Sequence, residues 1–186
     1  MRIKELNIQG VFEINLSPIC DSRGFFMRTY DLDLFKNVGL HREWLQENHS
    51  RSESKHIIRG LHCQQYPFSE TKLVRCIRGS IFDVAVDLRK ESPTYGMWVG
   101  AELSEENKKM LYIPRGFAHG FYTLTEISEV VYKVDNVYSK EHEVGIIWND
   151  KDIAIQWPKS TPILSEKDKN NITFEAFSEK FKFIKQ

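Results

Sequence analysis

The chain has 186 residues, a length that fits one domain of ordinary size. Its 26 Lys and Arg balance its 26 Asp and Glu, which excludes a general nucleic-acid or membrane-surface binder but allows a local cluster of cations in a cleft. The 41% hydrophobic and 28% charged content, and three widely spaced cysteines (Cys20, Cys63, Cys76), exclude membrane helices, a disulfide scaffold and disorder, and predict a reduced, cytoplasmic protein.

Residues 31–38 (DLDLFKNV) predict a short helix, stopped by Gly39. Residues 73–77 read as a strand, and Arg78-Gly79-Ser80 as a turn whose glycine needs a positive φ. Beyond it Phe82, Val84, Val86 and Leu88 alternate with Asp83, Ala85, Asp87 and Arg89, the period-two pattern of a strand with one buried face. Further strands are expected at 96–102, 109–113, 120–124, 129–136, 144–148 and 153–157, separated by turn signals, as in an all-β barrel or sandwich. Tyr132, Val134, Asn136 and Tyr138 then share one strand face. Phe174, Phe177, Phe181 and Ile184 recur at helical spacing and predict a C-terminal amphipathic helix packed on its own domain. The organisation read from this is a single domain over 1–186. N-terminal strands occupy 1–44, a β core about 45–158, and a helical segment 159–186.

Two segments resemble the paired motifs of the cupin superfamily, whose fold is a double-stranded β-helix, or jelly-roll barrel. Pro114-Arg115-Gly116-Phe117-Ala118-His119 carries the PxGxxH core, and Gly60-Leu61-His62-Cys63-Gln64 opens a stretch that closes at Gly79. Metal cupins place HxH and a glutamate in that first stretch; here the second His is Gln64 and the glutamate position is Lys72. A divalent cation needs lone-pair donors, and an ammonium group supplies none and repels it. The expectation is a cupin pocket without metal. His62, His119 and Lys72 would face it, a set suited to proton transfer beside a developing negative charge.

The longer pattern is similar to that of the dTDP-4-dehydrorhamnose 3,5-epimerases. It is carried by Asp21-Ser-Arg-Gly-Phe-Phe26, Gln46-Glu-Asn-His-Ser50, Arg59-Gly-Leu-His62, Lys72-Leu-Val-Arg-Cys76 and Tyr112-Ile-Pro-Arg-Gly-Phe-Ala-His-Gly-Phe121. Val131-Tyr-Lys133, Trp148-Asn-Asp150 and Ser165-Glu-Lys-Asp168 continue it, over about nine tenths of the chain. The resemblance implies a substrate with a 4-keto-6-deoxyhexose on a nucleoside diphosphate, and no cofactor. It implies His62 as base, Tyr132 as acid on the opposite face, Asp168 as orienter of His62, and Lys72 as stabiliser of the C4 enolate. Tyr138 would stack on the nucleotide base. Arg23, Arg28, Gln46, Glu47, Asn48, Arg59, His119, Glu143 and Lys167 would contact the diphosphate and nucleoside, and the pocket would be positive. A homodimer with exchanged N-terminal strands, and a role in rhamnose and O-antigen biosynthesis, are also implied.

Two positions depart from the family pattern. Arg28 stands where a glutamate is usual, which suggests a CDP- or GDP-linked substrate or a differently bound thymidine. Cys63 replaces an aromatic after the base, and strand alternation turns it away from His62. Two alternatives therefore stay open beside the 3,5-epimerase. One is a single-centre epimerase or ketoisomerase on another nucleotide; the other is a sugar-binding cupin without turnover.

Overall fold

The computed structural model describes residues 1–158 and 161–181, and strands dominate them. The N-terminal part holds β1 (Arg2–Glu5), β2 (Phe12–Asn15), the hairpin β3 (Ile19–Asp21) and β4 (Gly24–Phe26), and helix α1 (Leu32–Asn37). Then come β5 (Gln46–Ser52), β6 (Ile58–Gln64), β7 (Lys72–Arg78), β8 (Ser80–Asp87), β9 (Trp98–Ser104), β10 (Lys109–Ile113), β11 (Phe117–Thr123), β12 (Ser128–Val134) and β13 (Glu143–Gly145). Two short helices follow, α2 (Glu166–Lys169) and α3 (Phe174–Lys180). Among the described residues no helix is long and apolar enough to cross a membrane.

Apart from the β3-β4 hairpin, the strands form two antiparallel sheets, ordered β1-β2-β10-β7-β12-β5 and β13-β6-β11-β8-β9. They face each other as the jelly-roll barrel of the cupins. Alternation sends every second side chain inward. Val74 and Cys76 of β7, Ile81 and Ala85 of β8, Leu111 of β10 and Val130 of β12 meet there in one buried cluster. Each large apolar side chain so buried contributes about 1.5–3 kcal/mol over its exposed state.

Both outer faces are covered as well. Ile14, Leu16, Phe35 and Leu40 from the N-terminal part pack on Leu73, Met110 and Tyr112 of the first sheet. Ile146, Ile153 and Phe177 pack on Leu61, Cys63, Val84, Val86 and Ala118 of the second. This cover explains a departure in β8. Its apolar face is the outer one, and Asp83 and Asp87 on the inner face are fully buried rather than solvated. Asp87 is satisfied by Arg89, Ser92 and Thr94, whereas Asp83 meets His119 through Oδ1 alone and its buried Oδ2 has no hydrogen-bond partner among the described residues.

Helix α1 starts at Asp31, whose carboxylate accepts from Leu34 N–H, and Gly39 follows it with φ +75°. Gly79 has φ +71° between β7 and β8, and a Cβ there would lie 2.1 Å from Ile127 O, so only glycine fits the turn. Residues 153–157 form no strand: Ile153, Ile155 and Trp157 pack on the outer face of the second sheet without joining its ladder. β12 stops at Val134, so Asn136 and Tyr138 lie beyond the strand and do not continue its face. Helix α3 covers Phe174 and Phe177, Phe181 is its extended C-cap, and Ile184 lies outside the described residues.

Candidate active site

A cavity of about 420 Å³ opens between the two sheets, lined among others by Arg59, His62, Lys72, His119, Tyr132 and Asp168. His62 on β6 and His119 on β11 are cross-strand partners in the second sheet. Lys72 on β7 and Tyr132 on β12 come from the first. The imidazole and the phenol therefore enter the cavity from opposite walls.

His62 Nε2 lies 2.6 Å from Asp168 Oδ1, a charge-assisted distance. Asp168 reaches it because the C-terminal segment is tied to β6. Ile58 N–H donates to Ile163 O, and Ile163 N–H to His56 O. Ser165 then caps α2 by accepting from Asp168 N–H at 3.1 Å. Burial pushes the Asp168 carboxyl up, but His62, the Ser165 hydroxyl and Gly60 N–H outweigh it and hold it below the usual carboxylate value. Gly60 lets β6 and β11 approach: a Cβ on it would lie 2.6 Å from Gly120 Cα and 2.7 Å from His119 O.

Lys72 is 8% exposed, a burial that lysine tolerates only with partners. Its Nζ sits 3.2 Å from Glu70 Oε1 and 5.9 Å from the centroid of the Tyr132 ring. His119 Nε2 is 2.7 Å from the fully buried Asp83 carboxylate. Arg59 donates to Ser52 Oγ and to Arg51 O, and among the described residues no carboxylate pairs with it. Among the described residues no group of three or more His, Cys, Asp or Glu could hold a metal ion.

At the rim, Tyr138 is exposed and its hydroxyl donates to Glu143 at 2.8 Å. Burial pushes the Glu143 carboxyl up, but Lys167, Tyr138 and the nearby His62 bring it below its ordinary value. Lys167 closes the row at 2.6 Å from Glu143. Gln46 accepts from Tyr138 N–H, and Asn48 stands opposite Tyr132 on the edge strand β5.

Three of the expected contact residues lie elsewhere in the chain. Glu47 alternates to the outer side of β5, pairs with Lys133 and lines a separate hollow of about 300 Å³. Arg23 stands in the exposed β3–β4 turn, bound to Asp21. Arg28 is 2.8 Å from Asp31 at the head of α1. Nor is the cavity plainly positive, since Lys72 and Lys167 each carry a glutamate partner and Asp168 adds a further carboxylate. The partners Asp83 and Glu70 were not singled out from sequence. The signal for Asp83 was its place in the alternation of β8, two residues from Ala85, on the face that proves to be interior.

A sequence profile of the dTDP-4-dehydrorhamnose 3,5-epimerases matches residues 5–176. The chain belongs to this family. It is 54% identical to the dTDP-4-dehydrorhamnose 3,5-epimerase of Shigella flexneri, over 94% of this chain and 96% of that one. The crystal structure of the Bacillus anthracis enzyme with TDP and PPi bound superposes with a TM-score of 0.91 at 42% identity, covering 93% of this chain and 99% of that one. The Legionella pneumophila enzyme in complex with dTDP-4-keto-L-rhamnose gives 0.93 at 37% identity, covering 100% and 99%. The cavity just described is therefore the candidate active site of an epimerase-family member.

Proposed function

We propose that this chain inverts C3 and C5 of a dTDP-linked 4-keto-6-deoxyhexose by proton transfer through a C4 enolate. The observation that carries the reading is the placement of an Asp168-oriented His62 and Tyr132 on opposite walls of one cavity, with Lys72 beside them.

The C4 ketone acidifies the hydrogens on C3 and C5. His62 holds its own proton on Nε2 toward Asp168, which leaves Nδ1 to accept a proton from carbon. The electron pair moves into the C3–C4 or C4–C5 bond and the carbonyl oxygen becomes an enolate. The Lys72 ammonium, itself buried in the cavity wall, stabilises that oxygen. Tyr132 then gives its proton to the opposite face of the same carbon, which inverts it. Acid and base each contribute roughly 10²–10⁴-fold when so placed.

The thymidine nucleotide follows from the relatives. The case for CDP or GDP rests on Arg28 standing in place of a glutamate, and its pairing with Asp31 favours a local role for that cation. A homodimer fits the exposed hairpin, where Ile19, Phe25 and Phe26 are 71%, 54% and 68% exposed. Docked on a second chain, such a hairpin would bring Arg23 and Arg28 toward the partner's cavity. The free cysteines suit a cytoplasmic enzyme.

The test is incubation with dTDP-4-keto-6-deoxyglucose in D₂O, followed by NMR. Deuterium at both C3 and C5 is expected, and label at one centre only restricts the enzyme to single epimerisation. No label with dTDP-, CDP- or GDP-linked ketosugars overturns the proposal. His62→Ala should lower exchange by at least about 10²-fold while still binding dTDP.

A further inference from the structure

Gln64 occupies the place of a metal ligand in other cupins, yet its amide serves a different purpose. Its Nε2 has three acceptors within reach of its two hydrogens, Glu70 Oε2 at 3.0 Å, Phe68 O at 3.0 Å and Val137 O at 3.2 Å, so one N–H is shared between two of them. Its Oε1 accepts from Ser139 N–H at 2.6 Å. The two rim bonds fall on either side of Tyr138, in a segment that no β-ladder holds. Gln64 is 4% exposed, so its bonding has to come from the protein. On the cavity side, the other Glu70 oxygen meets Lys72 Nζ at 3.2 Å. An unbroken chain of polar contacts thus runs from the cavity ammonium through Glu70 and Gln64 to the backbone that carries Tyr138.

We propose that Glu70 and Gln64 are positioning residues, a relay that couples seating of the nucleotide base on Tyr138 to placement of the Lys72 ammonium at the C4 oxygen. This rests on the epimerase reading above. Neither residue touches the reacting atoms. A base stacked on Tyr138 fixes residues 137–139, and these fix the Gln64 amide. The amide fixes the Glu70 carboxylate, which directs the long, flexible lysine. Bonds to a charged group are the stronger kind, so the Glu70 end of the relay is the stiffer one. A broken relay leaves residues 137–139 less firmly held, so it weakens nucleotide affinity as well as catalysis.

The test uses the full-length enzyme, with deuterium wash-in for kcat and calorimetry for dTDP affinity. Gln64→Leu cuts the relay in its middle, and Glu70→Ala at its charged end. Each is expected to lower kcat about tenfold and to weaken dTDP about fivefold, the range of ordinary site-to-site coupling. Glu70→Gln keeps an acceptor for the Gln64 amide but loses the charge that holds Lys72. It should recover dTDP affinity to within about twofold while kcat stays low. Purely structural residues would lower the melting temperature and leave kcat and dTDP affinity of the folded protein unchanged. Both parameters at wild-type level in Gln64→Leu and Glu70→Ala, with an active wild type, overturn the relay alone. A wild type that labels neither centre overturns the epimerase reading, and the relay with it.

Discussion

Cys63 follows His62 in the chain and shares none of its surroundings. Its Sγ points to the outer face of β6, against Val144 O, among Leu61, Val84 and Ile146. Burial pushes the Cys63 thiol up to about 12, and burial does the same to Cys76. Cys20 is exposed. At neutral pH a thiol reagent should therefore spare Cys63 and Cys76 in the native protein and reach all three cysteines after unfolding. Rapid loss of a second native thiol would show that the cover over β6 opens. Alternation alone foretold the direction of Cys63, because the β6 residues keep a strict two-sided pattern there. His62, Lys72 and His119 were legible from motif spacing. Asp168, 106 residues from its partner, was legible only through family resemblance, since no local pattern links a short helix to a distant strand. Glu47 was misplaced for the opposite reason: a motif names neighbouring residues together, and a strand sends them to opposite faces.

Among the elements, β6 and β11 are held close by a glycine at their crossing. Gly60 has φ +127°, and any Cβ there meets Gly120 Cα and His119 O at under 3.0 Å. Gly60→Ala should force the strands apart and disturb the His62–His119 pair. It is expected to cost roughly 2–4 kcal/mol of stability, the sum of a strained φ and an overpacked contact. Urea unfolding measures the loss, and a midpoint within error of wild type would refute the packing argument. The elements were legible where one face is apolar, as in β7, β8 and β10. β5 (QENHSRS) was missed because it is polar on both faces, an edge strand with one side toward the cavity and the other toward Lys133. Residues 153–157 were misread because alternate apolar side chains can also serve a covering segment. Periodicity reports burial, and only the hydrogen-bond ladder makes a strand.

For the molecule as a whole, zero net charge hides many locally paired carboxylates. Burial pushes Asp87 up, but Arg89, Ser92 and Thr94 bring it below its ordinary value, and Asp168 behaves alike beside His62. A carboxyl whose pKa is lower folded than unfolded adds stability above its unfolded value, and loses it as pH falls through the folded one. Stability should therefore hold through neutral pH and decline below about pH 4. Urea midpoints across pH 2–7 test this on a rough scale set by ordinary carboxylate titration. Asp87→Asn should flatten the acid slope, and stability that rises toward low pH would contradict the assignment.

The placement of Asp168 in the segment that covers the second sheet has a consequence for the order of events in biosynthesis. β6, β7 and β12 bring His62, Lys72 and Tyr132 together without help from that segment. A nascent barrel could thus close around a sugar-sized hollow while its imidazole still turned freely. With Asp168 against it, the ring acquires a fixed tautomer and direction. Turnover thus reports on a contact made from outside the barrel, the seating of Ser165 and Asp168 against β6.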